Sequence, residues 1–210
     1  AKYTGKGLEE LKIITCHLGN GSSITATANG KAVDTSMGFT PQEGVVMGTR
    51  SGTIDPSIIP YLMKEDNLSP AEVEDIINKK SGLLGISGVS NDAREVTKAA
   101  KEGNYRAQLA LKILVNSIKK LIGAYVAEMN GLDVLVFTAG IGENDGNVRK
   151  LVCEDMDYLG IKIDEDKNAN APKGEEWEIS APGSRVRTFI IPTNEELMIA
   201  LDTSALIQNS

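Results

Sequence analysis

Three glycine-rich turns hold the residues of this sequence best suited to chemistry: 17–23 (HLGNGSS), 48–52 (GTRSG) and 138–144 (TAGIGEN). Glycine has no Cβ, so its backbone can approach a phosphate closely and aim several N–H groups at it. Taken alone, each is more often an ordinary turn. Three in one chain, two of them leaving apolar strands, point to a nucleotide. His17 precedes the first Gly-x-Gly. A lone histidine at a strand end either rests on a backbone hydrogen bond or faces the phosphates. Ser22 and Ser23 either add hydroxyl donors or simply begin the next strand. Arg50 is either a solvated loop charge or a forked, permanently charged partner for a migrating phosphoryl group. Asp92, with Glu95 three residues on, has capping-box spacing and needs no ligand, although a helix N-terminus also favours anions. Thr193 and Glu196 share that spacing, which leaves Glu195 free for another task.

The common nucleotide signatures do not fit. A Walker A loop ends in Gly-Lys-Ser/Thr, but the Gly-Lys pairs at 5–6 and 30–31 are followed by Gly and Ala. A dinucleotide fingerprint beginning at Gly140 would need a glycine where Asp145 stands. Composition sets outer bounds. A formal net charge of -7 argues against a nucleic-acid partner. No apolar run approaches the roughly 18 residues that span a bilayer, so no membrane role is expected. The hydrophobic fraction of 41% permits a sizeable core. Cys16 and Cys153 make neither a disulfide framework nor a metal knuckle, and a reducing, cytoplasmic setting is the simpler expectation. With His17 as the one histidine, a His-rich metal site is excluded, leaving a hard cation on oxygen ligands. The sequence opens on Ala1 rather than methionine, which suggests a fragment or processed product.

The elements that must position these turns follow from periodicity. Residues 11–18 read as a strand. Runs 24–28 and 31–35 flank Asn29-Gly30, a strong hairpin signal, because a type I′ turn needs positive φ at both central positions. Residues 36–55 are a long loop, and such loops are often functional. Helices are predicted over 56–64, 70–79 (with Ser69 and Glu72 as a capping box), 92–102 and 105–130. The last repeats apolar residues at helical spacing, carries few charges and reads as buried. Residues 133–139 form a nearly continuous apolar strand, as in a sheet covered on both faces. It runs into the third glycine turn and then a helix to 154. Residues 164–176 read as surface loop, 177–180 and 187–191 as strands, and 194–207 as a closing helix. The fold class is α/β.

A glycine-bearing hairpin followed by a glycine-rich strand-to-helix turn is the order found in actin-like sugar kinases and heat-shock ATPases. HLGNGSS at 17–23, DTSMGFTPQEGVVMGTRSGTIDP at 34–56, SGVSNDAR at 87–94, TAGIGEN at 138–144 and IPTNEE at 191–196 together resemble the acetate kinase family. Propionate kinases share nearly all of these motifs. The resemblance runs over essentially the whole chain and corresponds to the C-terminal, nucleotide-binding half of the family's longer chain. It implies an actin-like (ribonuclease H-like) ATPase lobe, a mixed sheet flanked by helices. Residues 1–192 would be the nucleotide-binding lobe, and 193–210 a helix returning to an N-terminal lobe.

The resemblance also implies roles. His17, Leu18, Gly19, Asn20 and Gly21 would contact ATP phosphates. Asp92, Ala93 and Arg94 would lie on the nucleotide, and Gly140, Ile141, Gly142, Glu143 and Asn144 on its adenosine side. Arg50 would stabilise the transition state, and Glu195 would bind Mg²⁺. The implied reaction converts ATP and acetate to ADP and acetyl phosphate, in a cytoplasmic homodimer with no nucleic-acid or membrane partner. In the family, a catalytic Asp, an Asn, a second Arg and a second His lie upstream of position 1, so the 210-residue chain alone is expected to be inactive. Without that lobe, the helix bearing Leu197, Met198, Leu201 and Leu206 is expected to be disordered, to pack on its own lobe, or to bury itself in a neighbouring chain. Two other classes compete: a stand-alone nucleotide-binding module, and an ATPase lobe acting through conformational change. The 34–56 stretch favours the kinase over the latter. Acetate and propionate fit these residues equally.

Overall fold

A computed structural model describes residues 1–208; the side chains of Glu195 and Gln208 and residues 209 and 210, the end of the expected C-terminal segment, lie outside the described residues. Strand β1 (Lys12–Leu18) pairs antiparallel with β2 (Ser22–Ala28), which pairs antiparallel with β3 (Lys31–Thr35). Between the last two, Asn29 and Gly30 have φ of 54° and 74°, the expected hairpin turn. On its other side β1 lies parallel to β4 (Val134–Thr138), and β4 parallel to β6 (Arg187–Ile190). β5 (Trp177–Glu178) closes the edge antiparallel to β6. Among the described residues the order is β3-β2-β1-β4-β6-β5, a mixed sheet flanked by helices.

β4 is buried along its whole length because its side chains alternate into two apolar clusters. Leu135 and Phe137 join Ile14 and Cys16 against the helices, while Val134 and Val136 pack with Leu11 and Phe189 on the other face. The helices are α1 (Ile58–Glu65), α2 (Pro70–Lys79), α3 (Gly82–Ser87), α4 (Ala93–Lys101) and α5 (Tyr105–Glu128). They continue with α6 (Ala139–Asn144), α7 (Gly146–Cys153), α8 (Glu165–Ala169) and α9 (Glu195–Gln208). α5 is the buried helix its periodicity predicts, with Leu111, Leu114, Ile118 and Ile122 in the core. Each such side chain contributes about 1.5–3 kcal/mol on burial, so α5 fastens the sheet. The Ser69–Glu72 capping box of α2 forms in both directions.

The structure corrects several expectations. α3 and α8 fall where no helix was predicted. The third glycine turn is largely helical, because α6 begins directly at Ala139. The last helix does not pack along its own lobe: Leu197, Met198, Leu201 and Leu206 are 50%, 57%, 53% and 71% exposed. No described helix is long and apolar enough to cross a membrane.

Candidate functional site

Parallel pairing of β1 and β4 sets His17 beside Thr138. The turns that follow both strands therefore leave the sheet side by side, and a Cβ placed on Gly19 would lie 3.7 Å from the Ala139 methyl. The second turn reaches the first through Asn20. The Gly48 amide donates to the Asn20 carbonyl at 3.1 Å, and Asn91 Nδ2 donates to Asn20 Oδ1 at 3.3 Å. Gly48 permits this approach: a Cβ there would collide with Asn20 Oδ1 and stand 3.0 Å from the Asn91 carbonyl. The second turn and the segment before α4 thus meet the first turn at Asn20, and the third turn lies against it at Gly19.

The first turn closes on itself. The Gly19 amide donates to Gly21 O at 3.1 Å and to Ser22 Oγ at 3.2 Å, and Ser22 Oγ donates to Gly19 O at 3.1 Å. Ser22 therefore starts β2 and locks the turn; its buried hydroxyl is not a ligand donor. Among the described residues, the amides of Asn20 and Gly21 donate to no protein group, and the His17 side chain has no hydrogen-bond partner. The backbone-bonded alternative for this histidine is not realised.

Arg50 is half-buried, its Nη1 donating to the Pro41 carbonyl at 3.1 Å and lying 3.6 Å from Met47 Sδ. The same nitrogen lies 3.4 Å from where a Gly21 Cβ would stand, so the guanidinium sits against the first turn. The N-terminus of α3 holds the Arg50 loop in place. The Leu83 and Leu84 amides, which have no partner within their own helix, donate to the Met47 and Gly48 carbonyls at 2.8 and 3.0 Å. Gly82 (φ 63°) makes this fit, since a Cβ there would lie 2.8 Å from the Arg50 carbonyl.

The third turn opens onto a cleft of about 400 Å³ lined by His17, Ala139, Gly140 and Glu143 from the strand ends and by Thr193, Asn194 and Glu196 from the chain entering α9. Ala139 is left-handed (φ 64°), a conformation that costs a non-glycine residue about 1–2 kcal/mol. Thr193 holds it. Its Oγ1 accepts from the Ala139 amide at 3.1 Å and shares a 2.7 Å hydrogen bond with Thr138 Oγ1, while its own amide donates to Glu143 Oε1 at 2.9 Å. Asn194, not Thr193, caps α9, its Oδ1 accepting from the Leu197 amide at 3.1 Å. The expected Thr193–Glu196 capping box is thus replaced, and Glu196 faces the cleft. The side chain of Glu195, the residue matched to magnesium, lies outside the described residues.

The remaining residues matched to the nucleotide divide by exposure. Leu18, Ala93 and Gly142 are buried and offer a ligand backbone at most; Ile141 packs against the core. Asn144 Nδ2 donates to the Gly140 carbonyl at 2.9 Å, tying α6 end to end. Asp92 caps α4 through the Arg94 amide rather than through a box with Glu95. Its carboxylate also holds the Arg94 guanidinium at 2.5 Å, and these hydrogen bonds keep the Asp92 carboxyl below the usual carboxylate range. This pair stands on the Asn91 side of Asn20 and does not line the cleft. Thr193, Thr138 and Asn91 stand in the quoted motifs but went unread as positioning groups, and the buried Arg149 lies outside every motif. Among the described residues, no group of three or more His, Cys, Asp or Glu side chains could hold a metal ion.

Residues 1–201 match the model of the Acetokinase family. The chain belongs to that family. This acetokinase-family chain is 61% identical over 208 residues to the acetate kinase of Moorella thermoacetica, covering 99% of this chain and 52% of the relative. It is 56% identical over 208 residues to the acetate kinase of Methanosarcina barkeri, covering 99% and 50%. Among solved structures, Porphyromonas gingivalis acetate kinase matches with a TM-score of 0.94 at 49% identity, over 98% of this chain and 51% of that one. A propionate kinase from Francisella tularensis matches with a TM-score of 0.84 at 48% identity, over 90% and 47%. The chain spans about half the length of the relatives it matches.

Proposed function

We propose that this chain is the nucleotide-binding part of an acetate kinase, which transfers the γ-phosphoryl group of Mg-ATP reversibly to acetate, giving acetyl phosphate and ADP. The observation that carries the reading is that the second and third glycine turns both lie against the first, at Asn20 and Gly19, with the Arg50 guanidinium against Gly21. The free amides of Asn20 and Gly21 and the His17 imidazole bind the phosphates. The segment 140–144 takes the adenosine side, and Asp92 and Arg94 flank the nucleotide. A carboxylate oxygen of acetate attacks the γ-phosphorus in line, and the bridging oxygen leaves on ADP with the electrons of the broken bond. Arg50 neutralises the equatorial oxygens of the group in flight. Phosphoryl transfer depends mostly on such positioning and charge neutralisation, and an arginine in this role contributes roughly 10³–10⁵ in rate.

The donors of the cleft fit a hard cation. Glu143, Thr193, Asn194 and Glu196 offer oxygen, and Mg²⁺ keeps most of its waters and needs only one or two carboxylates. Glu195, with Glu196 beside it, would hold the ion, which when bound neutralises phosphate charge. The complete protein is a cytoplasmic homodimer, and this chain alone is inactive because it covers half of the relatives' length. The likeness to a propionate kinase supports propionate as a second acceptor.

Calorimetric titration with Mg-ATP tests the reading. The wild-type chain gives measurable heat, and Arg94→Ala and Asn144→Ala weaken it; a wild-type titration with no heat refutes the proposal. In an enzyme carrying both halves, Arg50→Ala lowers kcat by about 10³ or more with the fold intact, and a near-wild-type kcat refutes the arginine's role.

A further inference from the structure

Arg149, on α7, is 2% exposed, yet it forms no salt bridge among the described residues. Burying a guanidinium without a carboxylate is costly unless every donor finds an acceptor. Here they do. Nη1 donates to the carbonyls of Gly142 and Glu143 at 2.9 and 2.8 Å, Nε to Asn168 Oδ1 at 2.7 Å, and Nη2 to the Asn168 carbonyl at 3.0 Å. Asn168, 4% exposed on α8, closes the circuit by donating Nδ2 to the Gly146 carbonyl at 2.8 Å. Gly142 and Glu143 lie in the last turn of α6, where carbonyls lack helical partners. The guanidinium thus fastens the open end of α6 from below, while Thr193 fastens its start from the cleft side. The carboxylate that offsets its charge is that of Asp145, which caps α7 and accepts from Thr97 Oγ1 of α4 at 3.3 Å. Burial pulls the Arg149 pKa below the ordinary arginine value and Asp145 pulls it back, so the group stays a cation at neutral pH.

We infer that Arg149 is a positioning residue: it fixes segment 139–145 in the helical form that receives the adenosine end of the nucleotide, without touching the ligand itself. The inference rests on the nucleotide reading above. It implies that loss of the fork loosens the adenosine side and leaves the phosphate side intact, because residues 17–21 are held by Gly48 and Asn91 instead. Lysine at this position supplies one ammonium where four acceptors are arranged around a planar fork, so charge alone does not restore the segment.

The test uses the 210-residue chain with Arg149→Met and Arg149→Lys. In the ligand-free protein, amide hydrogen exchange of residues 139–145 accelerates about tenfold or more in both variants, while that of α5 is unchanged. Unchanged exchange at 139–145, or equal acceleration in α5, overturns the inference, since a merely structural arginine loosens the whole domain. Titrations with adenosine and with tripolyphosphate supply the second readout. The adenosine Kd rises about tenfold, while the tripolyphosphate Kd stays within about twofold of wild type. Equal losses for both probes, or none, also overturn it. If Arg149→Met does not fold, the lysine variant decides by the same readouts. A wild-type chain that binds neither probe refutes the nucleotide reading, and the exchange experiment still judges Arg149.

Discussion

Thr193→Val removes a hydroxyl and nearly preserves shape, so its effect isolates the two hydrogen bonds that hold the left-handed turn at Ala139. The bond to Thr138 Oγ1 (2.7 Å) ends on a buried residue, whose hydroxyl then loses its partner. The bond from the Ala139 amide (3.1 Å) faces the open cleft, where water can replace the lost acceptor. The first loss costs about 1–2 kcal/mol and the second about 0.5–1, for a total of about 1.5–3 kcal/mol. For a domain of this size that lowers Tm by about 3–12 °C. Thr193→Ser keeps both bonds and gives up only a methyl group on an exposed residue, at less than about 1 kcal/mol. Differential scanning calorimetry of the three proteins measures the difference. Because Ala139 adjoins the cleft, Mg-ADP affinity should fall with the valine variant and recover with serine. A valine variant as stable as wild type, or a serine variant as damaged as valine, would show that the hydroxyl does not hold the turn.

Three further outcomes follow from other parts of the molecule. Gly48→Ala drives a methyl group into Asn20 Oδ1 and the Asn91 carbonyl; it should cost about 1–3 kcal/mol and weaken Mg-ADP binding, and unchanged Tm and Kd would refute the packing argument. The Arg94 hydrogen bonds depress the Asp92 pKa, so the charge of Asp92 stabilises the fold above its unfolded value near about 3.9, and that stability is lost as pH falls through the lower folded value. Asparagine also caps helices, so the Tm gap between wild type and Asp92→Asn should be full at neutral pH and close below about pH 4; a pH-independent gap would remove the charge from the account. Burial pushes the Cys153 thiol up to about 12 and Cys16 above its ordinary range, so a thiol reagent at mildly alkaline pH should label the chain only in denaturant.

Legibility from sequence tracked how local each cause was. The Asn29-Gly30 hairpin, the Ser69–Glu72 cap and the period of α5 are written within a few residues of where they act, and all three form as read. α3 is six residues with two glycines, and its first amides are satisfied by carbonyls of the Arg50 loop. Nothing near Gly82 announces those partners. α6 looked like a plain turn because glycines dominate it; it becomes helical through Thr193 at one end and Arg149 at the other, one far along the chain and one on the next helix. The cap of α9 failed for a related reason. Thr193 has the right spacing for a capping box, but its hydroxyl and amide are already engaged by the third turn, so the capping role passes to Asn194.

The same distinction explains how a turn with unpartnered amides is made here. Glycines at 19 and 21 permit the backbone path of the first turn but do not select it, since a glycine turn in isolation visits many conformations at little cost. Selection comes from Ser22, which consumes the Gly19 amide, and from Gly48 and Asn91, which pin the Asn20 carbonyl and side chain. With those groups engaged, the Asn20 and Gly21 amides are the ones left without protein partners, beside the guanidinium of Arg50. The order of β1 beside β4 brings the third glycine turn to the same edge, because parallel neighbours end together. The proposed grip on an anion therefore rests on a sheet topology and two distant anchors as much as on the glycines, and damage at Gly48 or Asn91 should reach the nucleotide without either residue touching it.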